Sequence, residues 1–185
     1  IPAQPPEVSA PARETTPPPS SGLGEAYSEL DNGVEARIGI AFAPVGDPES
    51  VQSLGSWTTG PAWSTIKVPL SIALLREESN GAVTGNMQAA ITASDNGAAQ
   101  AIWDELGAHQ TAANKVAAVL ADAGEQVEVQ PEVTRPGFTA FGQTDWSLAD
   151  QARFMAHAAC DPASQPVLGL MGQIAGGQRW GLGQL

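Results

Sequence analysis

The sequence predicts an α+β domain in which an antiparallel hairpin precedes a series of helices. Large and small residues alternate as in a strand near residue 40, whereas apolar residues recur at helical spacing from residue 66 onward. The segment between the two predicted strands is too short for a crossover helix, so the strands must pair antiparallel. With 185 residues, 42% of them hydrophobic, the chain is long enough for one domain with its own core.

Residues 1–30 are predicted to be a disordered tether, and residues 31–185 the folded domain. Seven prolines, mixed with Ser, Thr, Ala and Glu, leave the first segment too little apolar surface to order itself. A tether ahead of a compact domain favours an exported protein attached to a cell envelope.

The first strand is predicted over residues 37–43. The large residues on its core-facing side are expected to be Ile38, Ile40 and Phe42. A turn over residues 44–48 leads to a second, weaker strand over residues 51–58, which completes the hairpin.

The first helix is predicted to open at or just after Ser64, because Pro69 is tolerated only near a first turn. Further helices are predicted over residues 87–93, 98–106, 111–124, 148–159 and 166–174. Thr111 and Ser147 are the expected N-caps of the third and fourth of these. Residues 125–146 show little periodicity and are predicted to form a long ordered loop.

Charge and cysteine content exclude several classes of partner. Twenty acidic residues against eight basic ones give a net charge of −12, which disfavours nucleic acid and anionic lipid. No apolar run approaches the ~20 residues of a membrane span. Cys160 is the only cysteine and is expected in the core. His157 could join it on one helix face, but two more ligands would be needed, so no metal or other cofactor is predicted.

Two motifs carry the predicted chemistry, Ser64-Thr65-Ile66-Lys67 and Ser94-Asp95-Asn96. A spacing of three residues places a hydroxyl and an amine on one helix face. We therefore predict Ser64 as the nucleophile and Lys67, with a pKa lowered by partial burial, as the general base.

Ser94 is predicted to pass a proton towards the leaving nitrogen, and Asn96 to hold Lys67 and a substrate carbonyl. The Ser64 N–H supplies one oxyanion donor, and no residue is assigned as the second. The alternative interpretation is that the residues of both motifs are simply helix caps, since Ser and Asp are preferred N-cap residues.

These motifs, within WSTIKVPL at residues 63–70 and SDN at residues 94–96, resemble class A β-lactamases and penicillin-binding D,D-peptidases. The stretch FGQTDWSLAD at residues 141–150 is more similar still to exported serine-hydrolase-like lipoproteins of actinobacteria. The resemblance covers the chain from about residue 37 to its end. It implies an antiparallel sheet flanked by helices, an envelope location with a lipid anchor upstream of Ile1, and acyl transfer on D-alanyl peptides or β-lactams.

The sequence departs from that family in three ways. It has no Lys-Thr-Gly triad, later strands or closing helix, so we expect the chain to be a fragment of a longer protein. The loop before Trp146 lacks a Glu-x-x-Leu-Asn pattern, and Glu132 is an unmatched carboxylate, which favours a peptidase-like protein over a β-lactamase. The interval from Ser64 to Ser94 is also shorter than in the family.

Two functions remain open from the sequence. One is an active-site serine enzyme of the cell envelope, acting on a small molecule or a peptidoglycan peptide. The other is a non-catalytic envelope lipoprotein that keeps the same fold to bind a partner or peptidoglycan.

Overall fold

The computed structural model describes residues 20–180, and the chain divides into two units, Ile1–Glu35 and Ala36–Leu185. In the first unit, helix α1 spans Ser20–Asn32. The prediction of disorder is therefore wrong for residues 20–30, because the prolines end at Pro19 and apolar residues then recur at helical spacing. The predicted tether over residues 1–19 lies outside the described residues. Within residues 20–180, no helix is long and apolar enough to cross a membrane.

The second unit combines helices with two small antiparallel sheets, as the α+β prediction requires. Its strands are β1 (Gly39–Phe42), β2 (Gln52–Gly55), β3 (Thr59–Pro61) and β4 (Asp145–Ser147). Its α-helices are α2 (Lys67–Glu77), α3 (Gly85–Thr92), α4 (Asn96–Glu105), α5 (His109–Ala121), α6 (Leu148–Ala158) and α7 (Gln165–Met171). Short 3-10 helices span Trp63–Ile66, Phe141–Gln143 and Gly176–Gln178.

The predicted hairpin is present, since β1 pairs antiparallel with β2 from Gly39 opposite Gly55 to Phe42 opposite Gln52. The expected orientation of Ile40 is wrong, because this side chain is 36% exposed. The small residues pack on α6 instead: a Cβ added to Gly39 would collide with the Trp57 carbonyl and crowd Leu148. Small side chains allow the hairpin to approach the helix closely, and this close packing outweighs the burial of Ile40.

A second strand pair was not predicted. Strand β3 pairs antiparallel with β4, with Gly60 opposite Trp146. Gly60 and Pro61 indicated a turn, and the end of the long loop carried no alternation from which a three-residue strand could be detected. This pair ties the segment ahead of Ser64 to the segment ahead of α6.

Helix α2 forms the centre of the core. It is buried from Lys67 through Leu75 and contacts α3, α4, α5 and α7. A helix that is buried on all sides is held by packing rather than by its own propensity, and each of Leu70, Ile72 and Leu74 contributes about 1.5–3 kcal/mol by burial. Pro69 falls in the first turn, as predicted.

Two local predictions are wrong. Thr111 does not cap α5, which begins two residues earlier at His109 and is preceded by Ala108; both Ala108 and His109 have positive φ. Cys160 is exposed rather than part of the core, because α6 ends before it. The Ser147 cap is confirmed, since its hydroxyl accepts a hydrogen bond from the Asp150 N–H.

The first residue of the long loop, Glu125, carries a buried carboxyl group. Glu125 is 4% exposed, and one of its oxygens accepts a hydrogen bond of 3.0 Å from the indole N–H of Trp146. The other oxygen, Oε1, has no hydrogen-bond partner among residues 20–180. Burial raises the pKa of Glu125 to about 7. The native fold therefore favours the protonated acid.

Replacing Glu125 with Gln should remove a pH dependence of stability. Because the pKa of Glu125 is higher in the folded chain than in the unfolded chain, its favourable contribution is complete below about pH 4.5 and is lost as the pH rises through 7. The free energy of unfolding decreases by about 3 kcal/mol over this pH range. Urea unfolding at pH 5 and pH 8 should show that Glu125→Gln gains stability over the parent only at pH 8.

Glu128→Gln is the matched control, because Glu128 is exposed and lies three residues further along the same loop. Its stability should follow the parent at both pH values. An equal change in both variants would contradict the role given to Glu125.

Candidate active site

Ser64 lies in the 3-10 helix Trp63–Ile66, which runs directly into α2. The segment is held by Thr65, whose hydroxyl donates a 2.6 Å hydrogen bond to the Ala62 carbonyl. Trp63 has a φ of 48°, a strained backbone for a large residue. The strain turns the chain sharply between β3 and the helix and presents Ser64 at the start of α2.

Ser94 lies in the turn between α3 and α4 and also has a positive φ, of 54°. The next residue, Asp95, is the N-cap of α4 and accepts a 2.8 Å hydrogen bond from the Ala98 N–H. Asp95 is therefore the capping residue of this motif, and the Ser94 hydroxyl is available for other contacts. Ser64 is not an N-cap either, since Ala62 precedes the 3-10 helix and Ile66 precedes α2.

The amine of Lys67 reaches this turn from the first residue of α2. Its Nζ donates to the Ser94 backbone carbonyl at 2.6 Å, to Asn96 Oδ1 at 2.7 Å and contacts Ser94 Oγ at 3.2 Å. The residue is only 2% exposed. Three acceptors match the three N–H donors of an ammonium group, so the charged form is fully satisfied although it is shielded from water.

Burial lowers the pKa of Lys67 below its ordinary value, while the nearby Asp95 carboxylate opposes the shift. The net direction is towards the neutral amine. A lysine that loses its proton more readily than one in water is suited to take a proton from a neighbouring hydroxyl.

The hydroxyls of Ser64 and Ser94 lie 3.1 Å apart. Ser64, Ser94 and Lys67 thus form one continuous chain of contacts, and Asn96 holds the amine at its far end. The structure brings together all four residues of the predicted site. The route from Ser64 to the amine passes through Ser94, whereas the prediction had Lys67 act on Ser64 itself. Glu132 lies elsewhere, in an exposed pair with His109 whose Nδ1–Oε1 distance is 2.8 Å.

Two cavities meet at Ser64. One, of about 400 Å³, is bounded by Ser64, Lys67 and Asn96 on one side and by the loop around Phe138 on the other. The second, of about 670 Å³, has Ser64 and Ser94 at one end and is lined mainly by apolar side chains, including Trp146 and Trp180. Ser64 is therefore open to a molecule of substrate size.

The loop that faces Ser64 was predicted as ordered, but none of its residues was assigned to the site. Phe138 and Arg135 lie beside Trp63, and the side chain of Gln143 holds their loop in place. The sequence marks this loop only by Arg135, one of six arginines in the chain, which precedes a Pro-Gly turn. That signal is too weak to assign a role.

Among residues 20–180, no group of three or more His, Cys, Asp or Glu side chains is arranged to hold a metal ion. No family model and no curated protein matches the chain. The interpretation of the site therefore rests on its own geometry.

Replacing Asn96 with Ala should destabilise the fold, because it leaves the buried Lys67 amine with one fewer acceptor. We expect a loss of about 1–3 kcal/mol in the free energy of unfolding, measured with urea. Ala is a better helix former than Asn, so helix propensity acts in the opposite direction.

Asn114→Ala is the control, because Asn114 is an exposed residue of α5 whose amide oxygen accepts a hydrogen bond from the surface residue Gln110. The free energy of unfolding of this variant should stay within about 0.5 kcal/mol of that of the parent. Equal losses in the free energy of unfolding of the two variants would show that the hydrogen bond from Lys67 to Asn96 does not stabilise the fold.

Proposed function

We propose that this protein is an active-site serine acyltransferase or hydrolase in which Ser64 is the nucleophile. The observation that carries the proposal is the continuous contact from Ser64 Oγ through Ser94 Oγ to the buried Lys67 amine. A serine alone is a weak nucleophile, and this arrangement gives it a route by which to lose its proton.

The contact distances suit a relay that starts from neutral Lys67. Its two N–H groups donate along the two short contacts, to the Ser94 carbonyl and Asn96 Oδ1. Its lone pair then faces the longer contact and accepts the Ser94 hydroxyl proton. Ser94 in turn accepts the proton of Ser64.

Acylation follows from this arrangement in balanced steps. As the Ser64 oxygen bonds to the substrate carbonyl carbon, the carbonyl electron pair moves to oxygen. The Ser64 proton passes to the Ser94 oxygen, and the former Ser94 proton becomes part of the Lys67 ammonium. When the tetrahedral intermediate collapses, the bond to the leaving group breaks, and Lys67 returns the proton through Ser94 to that group. The Ser64 N–H is the proposed first oxyanion donor.

The substrate class proposed from the motifs is a D-alanyl peptide or a β-lactam, and the proposed location is the envelope of an exporting cell. The cavity of about 400 Å³ beside Ser64 supports a substrate of this size. The similarity of residues 63–70 and 94–96 to penicillin-binding proteins supports the acyl chemistry.

One observation favours the non-catalytic alternative. The three acceptors around Lys67 satisfy an ammonium completely, and an ammonium cannot accept a proton from Ser64. In that case the same network would only brace α2 against the turn between α3 and α4. Binding of peptidoglycan that is unchanged in Ser64→Ala, together with no adduct in the parent, would support this alternative.

A fluorescent penicillin should form a covalent adduct with Ser64. We expect the parent protein to be labelled and the labelled peptide to contain residue 64, as measured by gel fluorescence and mass spectrometry. Ser64→Ala should show no adduct, and Ser94→Ala should acylate about 10²- to 10⁴-fold more slowly because the proton relay is broken.

Ser56→Ala is the matched control for this experiment, because Ser56 is exposed and lies outside the contact chain. It should be labelled at the parental rate. Absence of an adduct on folded parent protein, or equal labelling of Ser64→Ala, would exclude the proposed role of Ser64.

Acylation should accelerate as the pH rises through the pKa of Lys67 and then level off, because only the neutral amine accepts a proton. Burial lowers this pKa, so the midpoint should lie below that of a lysine in water. Lys67→Arg should lose the rising limb and slow by about 10²- to 10⁴-fold, since arginine stays protonated. A rate profile of the parent that is flat between pH 6 and 10 would argue against Lys67 as the base.

A further inference from the structure

The loop opposite Ser64 is fastened by one side chain. Gln143 Oε1 accepts a 2.7 Å hydrogen bond from the Thr134 hydroxyl and one of 2.6 Å from the Arg135 N–H. Its amide nitrogen donates to the Thr139 carbonyl at 3.1 Å. One amide thus ties both ends of the segment over residues 134–139, which fixes the side chains between them.

Those side chains form what we call the Arg135 platform, consisting of Trp63, Arg135 and Phe138. The rings of Trp63 and Phe138 lie 4.9 Å apart. The Arg135 guanidinium lies 4.8 Å from the centre of the Phe138 ring and 5.9 Å from that of Trp63. Both rings line the cavity that contains Ser64.

Stability alone does not account for this arrangement. Trp63 is 41% exposed and Phe138 is 43% exposed, so two large apolar surfaces remain in water. A cation over a ring contributes little at an exposed site. Arg135 forms no ion pair with any residue in the described part of the chain, although the whole sequence carries a net charge of −12.

The guanidinium and the two rings of the platform suit a ligand with a carboxylate next to an apolar group. A guanidinium stacked on rings keeps its N–H edge open, and that edge fits a carboxylate through two parallel hydrogen bonds. The neighbouring ring surfaces fit an apolar group. An acidic protein repels anions in general, so a cation held over two rings that line the Ser64 cavity singles out this position.

We propose that the Arg135 platform is a specificity subsite that binds a substrate carboxylate at Arg135 and the adjoining apolar group against Trp63 and Phe138. This inference rests on the proposed function, because the platform selects what reaches Ser64. The substrate class it defines is an acyl compound that bears both a carboxylate and an apolar side group.

The test uses a matched ligand pair, phenylacetate and its neutral analogue phenylacetamide, and the full chain carrying Ser64→Ala. Binding is followed by NMR through the indole N–H signals, so no reaction at position 64 is required. Phenylacetate should bind about tenfold more tightly than phenylacetamide. Adding Arg135→Gln should reduce this preference to less than about twofold, because the amide has no charge and no bidentate edge.

Arg37→Gln is the matched control, since Arg37 also lies over a tryptophan, 4.9 Å from the Trp57 ring, but that ring lines neither cavity. It should keep the tenfold preference. Phe138→Ala should weaken both ligands while the preference for phenylacetate persists. Circular dichroism checks that each variant is folded.

Equal affinity for the two ligands, an unchanged preference in Arg135→Gln, or no binding of either ligand would overturn the subsite. These outcomes are separate from those of the acylation experiment. If phenylacetate binds through Arg135 but Ser64 forms no adduct, the subsite stands as a binding site and the proposed reaction fails. If Ser64 is labelled but no carboxylate preference is found, the reaction stands and the subsite fails.

Discussion

The burial of one amine is the constraint on which the site depends. Lys67 begins the central helix α2, and at 2% exposure its charge has almost no access to water. An unpaired ammonium in such a place costs on the order of several kcal/mol, so acceptors must be supplied by the fold. Ser94, in the turn between α3 and α4, supplies two of them, and Asn96, the first residue of α4, supplies the third. These contacts fix α4 relative to α2.

Backbone strain at two positions follows from that constraint. Ser94 presents both its carbonyl and its hydroxyl to the same amine, and it does so with a positive φ. Trp63 adopts a positive φ as well, and places Ser64 opposite the Ser94 hydroxyl. Non-glycine residues with positive φ persist only where their surroundings hold them, and here the buried amine and the β3–β4 pair do so. The two strained residues flank the same contact, 3.1 Å between hydroxyls.

The sequence allowed helices α2 to α7 and the four site residues to be predicted because both depend on local spacing. Ser64 and Lys67 share a helical turn, and the Ser94 turn lies between two periodic segments. The β3–β4 pair joins residues more than eighty positions apart through three residues on each strand, which leaves no periodic trace. The role of Gln143 was equally hidden, since one amide joins three backbone and side-chain groups that only the folded loop brings together. Ile40 and Cys160 were misplaced because hydrophobicity alone does not tell which side of an element another element covers.

The distances around Lys67 reconcile the stabilising role of the amine with the proposed catalytic one. In the protonated state all three contacts are donated, and in the neutral state the two shorter ones still are. The third contact only reverses direction, through rotation of the Ser94 hydroxyl. The amine of Lys67 therefore keeps all three contacts in both protonation states of the proposed relay. A network that serves both protonation states allows a buried lysine to hold the fold together and to exchange a proton with its neighbour, because neither state leaves the amine short of partners.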